Sequence, residues 1–316
     1  MEEKSNKIKN TYILLGKEKT LKNEDLLIEE IEYNQRNNPQ YLTEYSNQIL
    51  THLKETENIN IPNYEKLFNN QIEINNVHRM GVIHWIISVC ERFELLPETL
   101  YLTINIFDRY LEKKTLLRKN LQLVVSTCLL IASKYEEIYA PEIRDFIYIS
   151  KGLFTRDDII NIEYDILKVL NFNLLTVSPY IFLVRFFFIS GNDNMKVFYL
   201  ASYILDICLT DISFCKKSSS LKASVVLYIS RKIILENVKN IWNNSLKIHS
   251  GYSERDLKES IKECAKYTYN YTSNKYTKNF KKLPSYIKYS SEKYEAISIF
   301  FEKFLNDTIN SYKKGK

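Results

Sequence analysis

Six glycines and six prolines are all that 316 residues contain, roughly a third of the share common in globular chains. Sheet-rich folds spend these two residues on tight turns, so their scarcity predicts long helices joined by short connections. Hydrophobic residues at 45% and aromatics at 13% supply enough apolar surface for a packed core and exclude the disordered class. An all-α chain is therefore expected. No uninterrupted apolar run is long enough to cross a bilayer, and the opening MEEKSNKIKN lacks the apolar stretch of a secretory signal. Cys90, Cys128, Cys208, Cys215 and Cys264 stand singly on apolar segments. An odd count with no CxxC reads as reduced core thiols, in a protein of the nucleus or cytoplasm.

The 44 basic and 38 acidic side chains leave a formal charge of +6, and lysine is scattered rather than gathered into a stripe. Direct contact with nucleic acid is not expected from such a surface. His52, His78, His84 and His249 show no metal-ligand spacing, so no metal and no cofactor are expected. Phosphate-cradling glycine loops and nucleophile elbows are likewise absent from the sequence. The residues point to a protein that binds rather than one that catalyses.

Periodicity divides the chain. Residues 1–38 form a polar arm, and 39–75 a helix opened by Pro39, with Tyr45, Ile49, His52 and Leu53 on one face, followed by a connector. Residues 76–175 carry five helical segments. Val82, Trp85, Ile86, Val89 and Phe93 make the first apolar stripe, and Leu100, Ile104, Phe107, Tyr110 and Leu111 the second. The third, Leu121 to Ala132, is apolar nearly all round and reads as a buried central helix. Pro141 opens a short fourth, and Thr155 with Asp158 caps the fifth. Residues 176–272 begin with the Ser178-Pro179 start signal and repeat the order. Cys128–Lys134 aligns with Val225–Arg231, and Asp108 with Asp206, roughly a hundred residues on. A duplicated five-helix unit follows, and 273–316 is left as a tail, helical in part.

Several motifs now resemble the cyclins, and within them the A- and B-type mitotic group. They are His78-Arg-Met-Gly-Val-Ile-His-Trp85, Ile106-Phe-Asp-Arg-Tyr-Leu111, and Leu121-Gln-Leu with Ala132-Ser-Lys-Tyr-Glu-Glu-Ile-Tyr-Ala-Pro-Glu142. The likeness continues through Glu163 and Leu167–Leu174 and returns at Lys288–Ser298. It implies two tandem five-helix cyclin boxes with an additional N-terminal helix. It also implies a non-catalytic regulatory subunit that binds and activates a cyclin-dependent protein kinase in cell-cycle control.

By residue pattern alone, Lys134 is a solvated lysine and Glu163 an ordinary surface acid. The resemblance assigns them to the backbone of the kinase helix that carries its catalytic glutamate, with Tyr135, Glu137, Leu167, Phe172 and Leu174 around them. Tyr45, Ile49 and Leu53 would brace the kinase lobe, although His52 stands where the family carries a second tyrosine. Arg79 and Asp108, charged residues on apolar stripes, are expected to pair as a structural link between two helices. A docking patch for Arg-x-Leu segments of substrates or inhibitors would comprise Val82, Trp85, Leu121 and Gln122. There His78, Gly81 and Ser88 depart from the family, Ser88 replacing an acid that would meet the docking arginine. As an alternative, Trp85 is a partly buried anchor aromatic. A second functional class, a scaffold resembling transcription factor IIB with the same duplicated fold, would require a basic face on the second box. The arm at 1–38 contains neither R-x-x-L-x-x-x-x-N nor K-E-N, so timed destruction is not expected from it.

Overall fold

A computed structural model describes residues 45–191, 194–235, 240–273 and 279–314, with side chains as far as 308. The polar arm, the helix start at Pro39 and the middle of the 273–285 stretch lie outside the described residues. Among those described the regular structure is helical, and no strand occurs.

The first unit runs α2 (Asn76–Arg92), α3 (Pro97–Lys113), α4 (Leu121–Glu136), α5 (Ile143–Ile149) and α6 (Arg156–Val169), preceded by α1 (Ser46–Thr56). The second runs α7 (Pro179–Ile189), α8 (Met195–Cys208), a single turn α9 (Ile212–Cys215), α10 (Ser219–Ile234), α11 (Asn244–Ser250) and α12 (Glu254–Thr272). In the first unit a 3-10 turn at Arg118–Asn120 occupies the place of α9, so the two units share order as well as length. α13 (Pro284–Tyr289) and α14 (Ile297–Lys314) complete the chain. The starts follow local chemistry. Thr155 and Ser253 close capping boxes with Asp158 and Asp256, and Ser178 caps α7 ahead of Pro179.

Each unit is built on a central helix, α4 in the first and α10 in the second. α4 packs on α3 and α6, and α10 on α8, α7 and α12. Val124, Val125, Cys128, Leu129 and Ala132 are sealed inside, as an all-apolar helix must be. All five cysteines are buried free thiols.

Charge and hydrogen bonding join the two units. Arg79 is wholly buried, and its Nε and Nη2 donate to the two carboxylate oxygens of Asp108, each at 2.8 Å. Its Nη1 reaches across to the Leu209 carbonyl of the second unit at 3.0 Å, and the Tyr64 ring lies beneath it. Burial opposes the charge, but Asp108 overrides it and holds the guanidinium above its ordinary pKa. Asp206, the repeat counterpart of Asp108, has no arginine. It accepts instead from Tyr101 of α3 at 2.9 Å, and from Lys288 and Tyr289 of α13 at 3.0 Å. The tail is thus a tether, with α13 packed against α2. α2 is buried on more than one side, at Ile83, Ile87 and Cys90 as well as at Val82, Ile86 and Val89, as a helix packed on both its own unit and the tail must be. Glu57, just past α1, is buried and caps α10 by accepting from Ser220 N and Oγ at 2.7 and 2.9 Å.

His84 belongs to the same junction. Its Nε2 lies 3.0 Å from Tyr271 Oη on α12, and burial lowers its pKa to about 4. The imidazole is neutral when folded and has a pKa of about 6.5 when unfolded. Stability from this site is therefore full above about pH 6.5 and is lost as pH falls towards 4, by up to about 3 kcal/mol. The urea midpoint of the wild type should drop across that window more steeply than that of His84→Phe. Equal slopes would remove His84 as the source.

Candidate partner-binding surface

α4 and α6 lie side by side, and their packing brings Lys134, in the last turn of α4, to Glu163 midway along α6. The Lys134 Nζ donates to Glu163 Oε1 at 2.7 Å, with the lysine side chain 48% exposed and the acid 18%. Both heads remain within reach of an approaching chain.

Around this pair lies apolar surface that the fold does not use. Tyr135 is 54% exposed and Phe172 67%, while Leu167 and Leu174 are half-buried against the core. Sequence reasoning did not single out Ile138 and Tyr139, which are exposed at 89% and 92%. The signal was in plain view, two apolar residues in the loop that follows the buried helix. Phe172 is held out by backbone geometry, since it and Asn171 both adopt left-handed φ, 56° and 52°. That conformation is uncommon for a bulky side chain and costs energy unless its surroundings enforce it.

Glu137 has an intramolecular task. Its Oε1 accepts from the Leu96 backbone N–H and from the Thr99 hydroxyl, capping α3, whose start has no side-chain cap of its own. It shapes the surface by fixing α3 against the end of α4.

On α1 the buried position is Leu50, whereas Tyr45 and Ile49 are exposed and Leu53 is half-buried. The apolar stripe legible in the sequence therefore faces mostly outward, and a stripe the core does not consume is available to a partner.

The docking patch is less uniform. Val82 is 93% covered, being only 7% exposed. Trp85, Leu121 and Gln122 are half-buried. Gly81 and Ser88 are exposed on the same helix face as Trp85, and a Cβ at Gly81 would meet no atom within 4 Å. Among the described residues no cluster of three metal-binding side chains occurs, and no helix is long and apolar enough to cross a membrane.

Comparison with known proteins agrees with this architecture. Family models for the cyclin N-terminal domain and the cyclin C-terminal domain match residues 48–175 and 177–303. A G2/mitotic-specific cyclin-2 of Antirrhinum majus is 39% identical over 234 residues, covering 73% of this chain and 51% of that one. A G2/mitotic-specific cyclin-B of Spisula solidissima is 35% identical over 273 residues, covering 86% and 61%. The chain thus spans about half to three-fifths of the length of the curated relatives it matches. Among solved structures, a viral cyclin from herpesvirus saimiri superposes with a TM-score of 0.58 at 26% identity, covering 68% of this chain and 97% of that one.

Proposed function

Since this chain belongs to the cyclin family, we propose that it is the regulatory subunit of a cyclin-dependent Ser/Thr protein kinase and acts in cell-cycle control. The observation that carries the reading is the Lys134–Glu163 pair, an ammonium and a carboxylate 2.7 Å apart at the centre of exposed apolar surface. Helix ends present unsatisfied C=O and N–H groups. A lysine donates to the first and a carboxylate accepts from the second, so the pair can fix a kinase helix in register. Tyr135, Phe172, Leu167 and Leu174, with Tyr45, Ile49 and Leu53 on α1, supply the non-directional part of the attraction.

Activation then follows from differential affinity. A kinase alone samples arrangements in which its αC helix, and the Lys–Glu ion pair that depends on it, are out of place. A partner that binds only the productive arrangement shifts the population towards it. The cyclin contributes no reacting group. Its contribution is stiffness, maintained by the buried links between its units.

Histone phosphorylation by purified cyclin-dependent kinases, measured as the protein is titrated in, tests the proposal directly. A saturating rise in rate with at least one kinase is expected. If none responds and none co-purifies from native extract, the reading fails. A nucleic-acid scaffold is not favoured, because basic residues on α12 alternate with acids, Lys262 pairing with Glu259 of the same helix while its Glu263 pairs with Lys217 ahead of α10.

For substrate choice, the surface around Trp85 is proposed to dock short apolar segments with weakened selection for a neighbouring arginine, since Ser88 offers no charge. Ser88→Glu should restore a charge-assisted bond, and such bonds contribute about 1.5–3 kcal/mol. Affinity for an Arg-x-Leu peptide should then tighten at least about tenfold. Unchanged affinity in a peptide titration would remove this face as the docking site.

A further inference from the structure

Phe172 poses a mechanical problem. Two successive left-handed residues, Asn171 and Phe172, follow α6, and the local backbone bonds Asn171 N to Lys168 O and Phe172 N to Leu167 O, at 3.1 and 2.8 Å, merely close the helix end. Strained backbone of this kind persists only where its surroundings over-determine it.

The additional restraint comes from Asn60, on the connector that leaves α1. Its Nδ2 donates to Asn173 Oδ1 at 2.9 Å and to the Leu175 carbonyl at 2.6 Å, while Asn173 Nδ2 donates back to Asn60 Oδ1 at 3.2 Å. The Asn173 carbonyl accepts from Arg109 Nη1, and the Asn60 carbonyl accepts from Asn105 Nδ2, both at 2.9 Å. Asn60 is itself left-handed, with φ 61°, a conformation that asparagine tolerates well. Three residues earlier Glu57 is pinned to α10. The chain between α1 and the 171–175 turn is thereby fixed at two points.

We propose that Asn60 is a positioning residue for kinase binding: by clasping Asn173 and Leu175 it locks α1, bearing Tyr45 and Ile49, to the turn that bears Phe172, so that both apolar contacts are presented as one preassembled surface. The proposal rests on the kinase-activating reading. Two surfaces ordered before the encounter need not be ordered during it, which lowers the cost of association.

Asn60→Gly is the informative variant, because glycine keeps the left-handed backbone without strain and removes only the clasp. Asn173→Ala removes the two bonds between the amides and leaves the one to the Leu175 carbonyl, so its effects should be the smaller. In either variant hydrogen exchange at 171–175 should quicken. The concentration giving half-maximal kinase activation should rise about tenfold in Asn60→Gly, with the plateau rate and the thermal midpoint of unfolding near wild type. The double variant should be no worse than Asn60→Gly alone, since that change already removes every bond the Asn60 side chain makes to Asn173 and Leu175. Wild-type half-saturation, additive losses, or a fall in plateau that follows loss of folded protein would overturn the proposal. Should the wild type activate no kinase, the functional reading fails by itself, and the exchange measurement still decides: unchanged protection in Asn60→Gly overturns the clasp, and quickened exchange upholds it.

Discussion

Replacing Arg79 with alanine is expected to cost about 3–5 kcal/mol of folding stability, the largest loss from any single substitution considered. The reason is what stays behind. Asp108 is completely buried and its carboxylate takes both of its strong bonds from this guanidinium. Without them a charge remains in the core with no cation beside it and only the Tyr64 hydroxyl to bond it, and the Leu209 carbonyl loses a donor as well. Whole-domain stabilities are about 5–15 kcal/mol, so the loss is a large share of the total and the thermal midpoint should fall markedly. The location adds a second signature. Because Arg79 joins Asp108 of the first box to Leu209 of the second, both boxes should lose stability together in urea, by tryptophan fluorescence and by far-ultraviolet circular dichroism alike. Arg79→Met with Asp108→Leu should recover part of the loss, because an apolar pair leaves no orphaned charge. A cost below about 1 kcal/mol for Arg79→Ala would mean that the link is dispensable.

The opposite profile is expected of Lys134→Ala combined with Glu163→Ala. In the free chain this pair sits at the surface, where ion pairs contribute about 0–1 kcal/mol, so folding should be nearly unchanged. Beneath a bound kinase the same groups would be desolvated, and truncating partners of such contacts costs about 2–5 kcal/mol. Binding should weaken between about thirtyfold and several thousandfold, enough to abolish histone phosphorylation at sub-micromolar concentrations. Normal folding with lost activation is the outcome that ties the pair to the partner. Full activation by the double variant would place the interface elsewhere.

These two charged pairs also mark how far sequence reasoning extends. The helices of both boxes were legible because the signals that specify them are local: stripes at three and four residues, Thr155 with Asp158, Ser178 ahead of Pro179. Arg79 and Asp108 could be paired because each is a charge in an apolar stripe with few ways of being satisfied. Long-range capping has no such local trace. Glu57 caps a helix that begins more than 160 residues later, and Glu137 caps one that begins some 40 residues earlier, as the separations of 163 and 41 show. The outward face of α1 was legible only through the resemblance, since periodicity reveals a stripe but not whether core or partner covers it. His84 carries no local trace of its role, which its contact with Tyr271, 187 residues away, supplies. The repeat misleads at one point. Arg231, the counterpart of Lys134, is buried and donates to the carbonyls of Ile241 and Ser190, so an equivalent position is exposed in one box and spent on the interior in the other.

The union of Asp206 with Tyr101 and Lys288 has a consequence for how the chain is made. A ribosome delivers α2 and α3 about 200 residues before the lysine that completes their junction, which at usual rates of synthesis is tens of seconds. Throughout that interval α2 lacks the cover of α13, and Tyr101 lacks its acceptor until α8 emerges. The nascent first half is therefore adhesive, and chaperone capture should be concentrated on α2 and should cease once α13 has emerged.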